Sequence, residues 1–189
     1  MGNKQDMAQA TVDAILRLAA AGTFISAALL LPNLPQALEK PLDAAMKKLD
    51  KRSREREIRK ALYYMKEQNL LRGSYEHGLK ITKKGRSRLE KKDIERLRIP
   101  RPAKWDKKWR IIFYDIPETS KYHRNLLAAK LNGLGFYQLQ RSVWVHPFPC
   151  RDEIEKVTSF YKVSSHVTYL ETEKIDNQKK LISRFKKLL

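Results

Sequence analysis

Acidic residues are scarce in this chain: 21 Asp and Glu stand against 40 Lys and Arg, a formal net charge of +19. So large an excess sets up a long-range positive field that draws in RNA, DNA or an anionic membrane surface. A solubilising or ribosome-like basic surface is the plainer explanation. Cysteine is nearly absent. Cys150 stands alone, which rules out an internal disulfide framework and a Cys-rich zinc site and fits a reducing cytoplasm. His77, His123, His146 and His166 show no H-x-x-H spacing, the usual sign of a zinc site. Neither G-x-x-x-x-G-K-[ST] nor G-x-G-x-x-G occurs, so no phosphate-cradling loop is evident. No internal repeat or low-complexity tract is visible.

Long apolar runs are also few. One covers residues 14–31 (AILRLAAAGTFISAALLL) and approaches the length that crosses a bilayer. Arg17, Thr23, Ser26 and the break at Pro32-Asn33-Leu34-Pro35 argue against a span. Asp6 and Asp13 stand where a signal peptide would be basic. Ala-Gly-Thr at 21–23 is expected to split the run into two buried helices, so a membrane partner is not expected.

Hydrophobic residues make up 42% of the 189 positions, enough for a packed core. After the prolines, residues 36–50 read as a short helix with Leu38, Leu42, Ala45, Met46 and Leu49 on one side. A second helix is predicted over 53–69, with Ser53 as N-cap and Glu55 and Glu57 in its first turns. Ile58, Leu62, Met65 and Asn69 share one face. Arg56, Lys60, Tyr63 and Glu67 share the other, with Arg59 at its border. Two short strands, 70–74 and 79–82, flank a tip with Gly78, which suits a hairpin turn. Thr82 is then expected to cap a helix running to about Arg98. Helix, hairpin, helix is the outline of a winged helix-turn-helix.

Pro100 and Pro102 mark a linker. Beyond it the pattern predicts strand 109–115, helix 120–133, strands 135–140 and 142–147, helix 152–162 and strand 166–171. This is the β-α-β-β-α-β order of a ferredoxin-like fold. A basic amphipathic helix over 177–188 follows. The expected class is α+β, divided as 1–98 winged helix-turn-helix, 99–106 linker, 107–173 ferredoxin-like dimerisation domain and 174–189 C-terminal basic helix.

Two constellations carry chemistry. A helix fits the major groove of duplex DNA. Arg56 and Arg59 are the foremost candidates for base or phosphate contacts, with Arg54, Lys60 and Tyr63 beside them. Arg72, His77 and Lys80 on the wing could reach the neighbouring groove or backbone. Lys83, Lys84 and Arg86 lie at a helix N-terminus, where a phosphate is welcome. From Lys47 to Lys104 there are 21 basic and 8 acidic residues, a concentration that scatter does not explain. A solvated face of an interaction helix is the alternative.

The second constellation is Asp115, at the end of the first ferredoxin-like strand. The first and third strands of that fold are antiparallel neighbours, so Asp115 should lie near Arg141 and Ser142. Beside a two-fold axis it could bind Mg²⁺ or Mn²⁺ with its symmetry mate and activate water for phosphodiester hydrolysis. An ion pair with Arg141, or a turn cap before Pro117, would explain it without metal. Cys150, after Pro149 near a helix start, could have a somewhat acidified thiol. No base lies near it in sequence, so a structural role is expected.

WDKKWRIIFYDIPE, GFYQLQRSVWVHPFPC and TYLETE resemble the central domain of the phenylacetate-degradation repressor (PaaX-type) family. That domain is similar in turn to the CRISPR-associated Cas-two endonuclease, whose strand-end catalytic aspartate matches Asp115. IRKALYYMKEQNLL and LKITKKGR resemble the family's recognition helix and wing, with Arg59 at the matched arginine. The resemblance covers about residues 54–173. It implies a homodimeric, cytoplasmic, sequence-specific DNA-binding regulator, a repressor in type, that needs no cofactor. A Mg²⁺- or Mn²⁺-dependent nuclease is the alternative. PaaX-type repressors carry a further domain and answer to an acyl-CoA, but the resemblance here does not extend to that region, so no effector is carried over.

Overall fold

Helix α1 (Gly2–Ala20) contains the first part of the apolar run, and its periodicity explains where the residues go. Val12, Ile15, Leu16 and Ala19 recur at helical spacing and are buried, while Arg17 points outward. A computed structural model describes residues 2–22, 49–74 and 77–189. Residues 23–31 of the run, most of the helix expected over 36–50 and the hairpin tip at 75–76 lie outside it. No described helix is long and apolar enough to cross a membrane. The chain divides into two units, residues 1–92 and 93–189.

In the first unit, α2 (Lys51–Glu67) starts earlier than Ser53. Asp50 is the N-cap: its carboxylate accepts from the Ser53 N–H at 2.9 Å and from the Ser53 hydroxyl at 3.0 Å. Ser53 does not cap, because it lies at the third position within the helix, where its N–H and hydroxyl both donate back to Asp50. These hydrogen bonds hold the Asp50 carboxyl below its usual range. Ile58, Ala61, Leu62 and Met65 form the buried face and pack with α1, Leu70, Leu71, Leu79 and Ile81 into one core. Asn69 does not extend that face. It is exposed at φ 54°, a left-handed position that Asn tolerates. That turn brings the Leu70 N–H onto the Met65 carbonyl at 2.8 Å and ends the helix.

Strands β1 (Leu71–Ser74) and β2 (Gly78–Ile81) pair antiparallel, with Arg72 opposite Lys80. Helix α3 (Lys83–Arg96) is capped by Thr82, whose hydroxyl oxygen accepts from the Gly85 N–H at 3.1 Å. The same hydroxyl donates to the Asn69 carbonyl at 2.7 Å, tying the start of α3 to the end of α2. Gly85 is required by close approach: a Cβ there would lie 2.4 Å from the Leu70 carbonyl oxygen.

The second unit is built on β3 (Trp109–Tyr114), β4 (Tyr137–Gln140), β5 (Val143–His146) and β6 (Val167–Thr172). Their order is β4-β5-β3-β6, antiparallel throughout. Helices α4 (Lys121–Gly133) and α5 (Arg151–Phe160) complete the β-α-β-β-α-β sequence of a ferredoxin-like unit. A 3-10 turn at Glu118–Ser120 precedes α4. Period-two alternation splits the strand residues between two faces. Ile112, Tyr114, Trp144 and Tyr169 pack with Leu127, Leu131 and Val157 of the helices. Trp109 and Val145 lie on the other face, under Leu181 and Phe185 of α6 (Gln178–Phe185).

Arg110, His146 and Cys150 are sealed into this unit. Arg110 is 2% exposed; its Nη1 donates to Asp106 Oδ1 at 2.7 Å and to the Lys108 and Pro147 carbonyls at 2.9 Å each. Its Nη2 pairs with the other Asp106 oxygen, and Glu171 lies 3.6 Å from Nε. His146 is buried and accepts the Phe148 N–H on Nδ1 at 3.1 Å; burial lowers its pKa to about 4. Cys150 departs from the acidified thiol that its position suggested. Burial pushes it up to about 12, because an apolar interior opposes the thiolate more than a nearby helix start favours it.

Candidate nucleic-acid interface

The inward face of α2 fixes what its outward face presents. With Ile58, Leu62 and Met65 locked in the core, helical geometry turns Arg56, Arg59, Lys60 and Tyr63 to solvent, and all four are exposed. Tyr63 is 68% exposed, an aromatic ring held in water beside cations. Lys60 lies 3.0 Å and Arg56 4.0 Å from the single carboxylate of Glu57. One acid between two cations leaves the cluster net positive. Arg59 makes no hydrogen bond or ion pair among the described residues. Arg54 is different: its Nε donates to the Leu49 carbonyl at 2.9 Å and it is half-buried, so it braces the helix start.

On the hairpin, Arg72 and Lys80 are exposed and directly opposed. Two like charges thus stand side by side on the hairpin. His77 is exposed, with Nδ1 3.0 Å from the Ser74 hydroxyl, which also accepts the His77 N–H at 3.1 Å. Lys83, Lys84 and Arg86 are exposed in the first turn of α3.

Tyr64 and Arg88 were not among the residues that the sequence singled out. The Arg88 guanidinium donates to the Tyr64 hydroxyl at 3.1 Å and lies 5.7 Å from the centre of its ring. The pair joins α2 to α3 and adds a positive aromatic stack to the same unit. A Tyr-Tyr dipeptide on an amphipathic helix was the available signal, but partner choice across 24 residues is a tertiary fact.

Asp115 follows β3. Its N–H donates to the His166 carbonyl at 3.0 Å, and the Tyr114 N–H donates to the Ser142 carbonyl at 3.2 Å. Its side chain is exposed and borders two shallow hollows, one with Ser142, Ser165 and His166, the other with Lys121, Arg124 and Arg141. Proximity to Arg141 and Ser142 is thus present, but the ion pair with Arg141 is not. The Arg141 carbonyl accepts from Gln138 Nε2 at 3.1 Å and from the Tyr114 hydroxyl at 3.3 Å, which fixes the loop by its backbone. Lys121 and Arg124 are taken by Glu118, at 3.4 and 2.8 Å. No group of three His, Cys, Asp or Glu side chains suited to a metal exists among the described residues. One exposed carboxylate does not by itself make a Mg²⁺ or Mn²⁺ site within a chain.

Residues 102–182 match the family model described as the PaaX protein central Cas2-like domain. No curated protein matches the chain.

Proposed function

We propose that this chain, whose residues 102–182 match the PaaX protein central Cas2-like domain, is a homodimeric repressor of the PaaX type that binds duplex DNA through its first unit. The observation that carries the reading is the division of α2 into a sealed apolar face and an outward face of Arg56, Arg59, Lys60 and Tyr63. An α-helix with protruding arginines is shaped for the major groove, where Arg reads guanine edges bidentately. Helix α2, the β1–β2 hairpin and α3 act as a winged helix-turn-helix. Arg72, His77 and Lys80 serve the wing. Lys83, Lys84 and Arg86 hold phosphate at the start of α3.

Dimerisation falls to the second unit. Beyond the part of its sheet covered by α6, Phe113 and Leu170 stay exposed at 39% and 36%. They share a face with Ile111 and Val143, as the register Ile111–Leu170 and Phe113–Val143 requires. Apolar side chains gathered on an open sheet face support a second copy as the partner. Two protomers would read the halves of a palindromic site, and occupying such a site represses by excluding other proteins. The single buried thiol suits a reducing cytoplasm.

Selection of bound sequences from random duplexes tests the reading: a two-fold symmetric site is expected. On that site, Arg59→Ala with Lys60→Ala should weaken binding by roughly 10- to 100-fold, the scale of removing one bidentate pairing with a base. Unchanged binding in a shift assay would remove α2 as the reader. Incubation with Mg²⁺ or Mn²⁺ beside Asp115→Ala shows whether any cleavage depends on Asp115.

A further inference from the structure

The cations of the second unit fall into two populations. Residues 93–176 contain 15 basic and 11 acidic side chains, while residues 177–189 contain five basic and none acidic. Within the first stretch, the acids take up cations: Arg110 with Asp106 and Glu171, Lys121 and Arg124 with Glu118, Arg151 with Glu155. Lys179, Lys180, Lys186 and Lys187 are exposed, and their side chains make no hydrogen bond or ion pair among the described residues. Arg184 is exposed too, with its guanidinium 5.5 Å from the centre of the Tyr137 ring.

Helix α6 fixes the direction of these charges. Leu181 and Phe185, 1% and 4% exposed, anchor it on Trp109 and Val145. The helix ends at Phe185, but Lys186 keeps right-handed helical dihedrals (φ −49°, ψ −34°) into the turn that follows, so at ~100° per residue Lys179, Lys180, Lys186 and Lys187 cluster around Ser183 on the side away from the sheet. The two lysine pairs are seven residues apart, about 10 Å along the helix. That spacing is close to the ~12 Å width of the major groove, so each pair can meet one of the phosphate rows that border it. No aromatic or amide side chain suited to reading a base stands among them.

We propose that the outward face of α6 is a second contact surface for duplex DNA, one that holds the phosphate backbone without regard to sequence. A lipid surface fits less well. An interfacial helix needs a broad free apolar face; Leu181 and Phe185 are committed to the sheet, which leaves Ile182, 40% exposed, as the one apolar side chain of α6 open to solvent. This surface is separate from that of α2 and stands on different residues in a different unit.

The test uses the full chain carrying Lys→Gln at 179, 180, 186 and 187, with Lys→Arg at the same positions as the charge-conserving control. Affinity is measured against salt for a selected site and for a scrambled duplex. Each phosphate that α6 no longer neutralises should reduce the slope of log K against log salt by about 0.9. The Gln variant is therefore expected to lose about 2 to 4 from the slope, equally on both duplexes, with the preference for the selected site intact. The Arg variant should keep the wild-type slope. An unchanged slope in the Gln variant overturns the proposal. So does loss of binding to phosphatidylserine vesicles with DNA affinity unaltered, which would assign the face to a membrane.

The same four substitutions are repeated in an Arg56→Ala, Arg59→Ala background. If that background binds like wild type while the Gln changes still lower the slope, the role of α2 fails and that of α6 stands.

Discussion

Arg110 in the second unit and Arg59 in the first are the same side chain under opposite conditions. Arg110 is enclosed by the Asp106 carboxylate, two backbone carbonyls and Glu171. Arg59 stands in water on a helix whose other face is core. Both count equally toward the +19 charge, yet only the second kind is available to a polyanion. Net charge sets the sign of the long-range field. Pairing and burial say which cations can meet a polyanion.

The largest effect is expected at Arg110. Arg110→Ala removes the guanidinium that pairs with Asp106, leaving Trp105 Nε1 as the remaining donor to the Lys108 and Pro147 carbonyls, and should cost about 3 kcal/mol of the second unit's stability. All three tryptophans, Trp105, Trp109 and Trp144, lie in that unit. Urea unfolding followed by tryptophan fluorescence therefore reads it alone. A change under about 1 kcal/mol, the worth of a single ordinary hydrogen bond, would show that the guanidinium does not tie these groups together.

Acid provides a comparable effect from His146. Its folded pKa, about 4, lies below the ordinary value of 6.5, so the unfolded chain binds the extra proton between those values. Stability is then full above pH 6.5 and falls as pH drops toward 4, by roughly 3 kcal/mol in all. The same fluorescence midpoint, measured across that window, should lose most of this dependence in His146→Gln, after allowing for the variant's lower stability at neutral pH.

In the first unit, Gly85→Ala sets a Cβ against the Leu70 carbonyl and should cost about 1–3 kcal/mol through strain. Circular dichroism would show the loss with tryptophan fluorescence unmoved. The smallest stability effect belongs to Arg59→Ala, within about 0.5 kcal/mol. A larger loss would mean that Arg59 supports the fold, and the contrast with Arg110 would disappear.

Much of this architecture is legible because it rests on local rules. Alternation in WRIIFY and SVWVHP and helical spacing at Ile58, Leu62 and Met65 place most elements within a few residues. The cap of α2 is not legible in the same way, since Asp50 and Ser53 are both good caps and only the geometry shows which one accepts and which donates. Asn69 misleads because periodicity continues on paper past the left-handed turn that ends the helix. The basic character of α2 is visible, but Arg54 looks like its neighbours until its bond to the Leu49 carbonyl is seen. For Asp115 the strand order gives the right neighbours without revealing that Arg141 leaves it unpaired.

The sequence by itself determined which segments are helix or strand, which faces turn inward, and how large the positive excess is, because periodicity and charge are properties of consecutive residues. Tertiary structure alone decided which cations are neutralised, as Arg110 is, and which project, as Arg59 and the α6 lysines do. Several of these pairs are near in sequence, as Asp106 is to Arg110, but burial and the remaining partners, Pro147 and Glu171 among them, come from distant positions that no local pattern encodes.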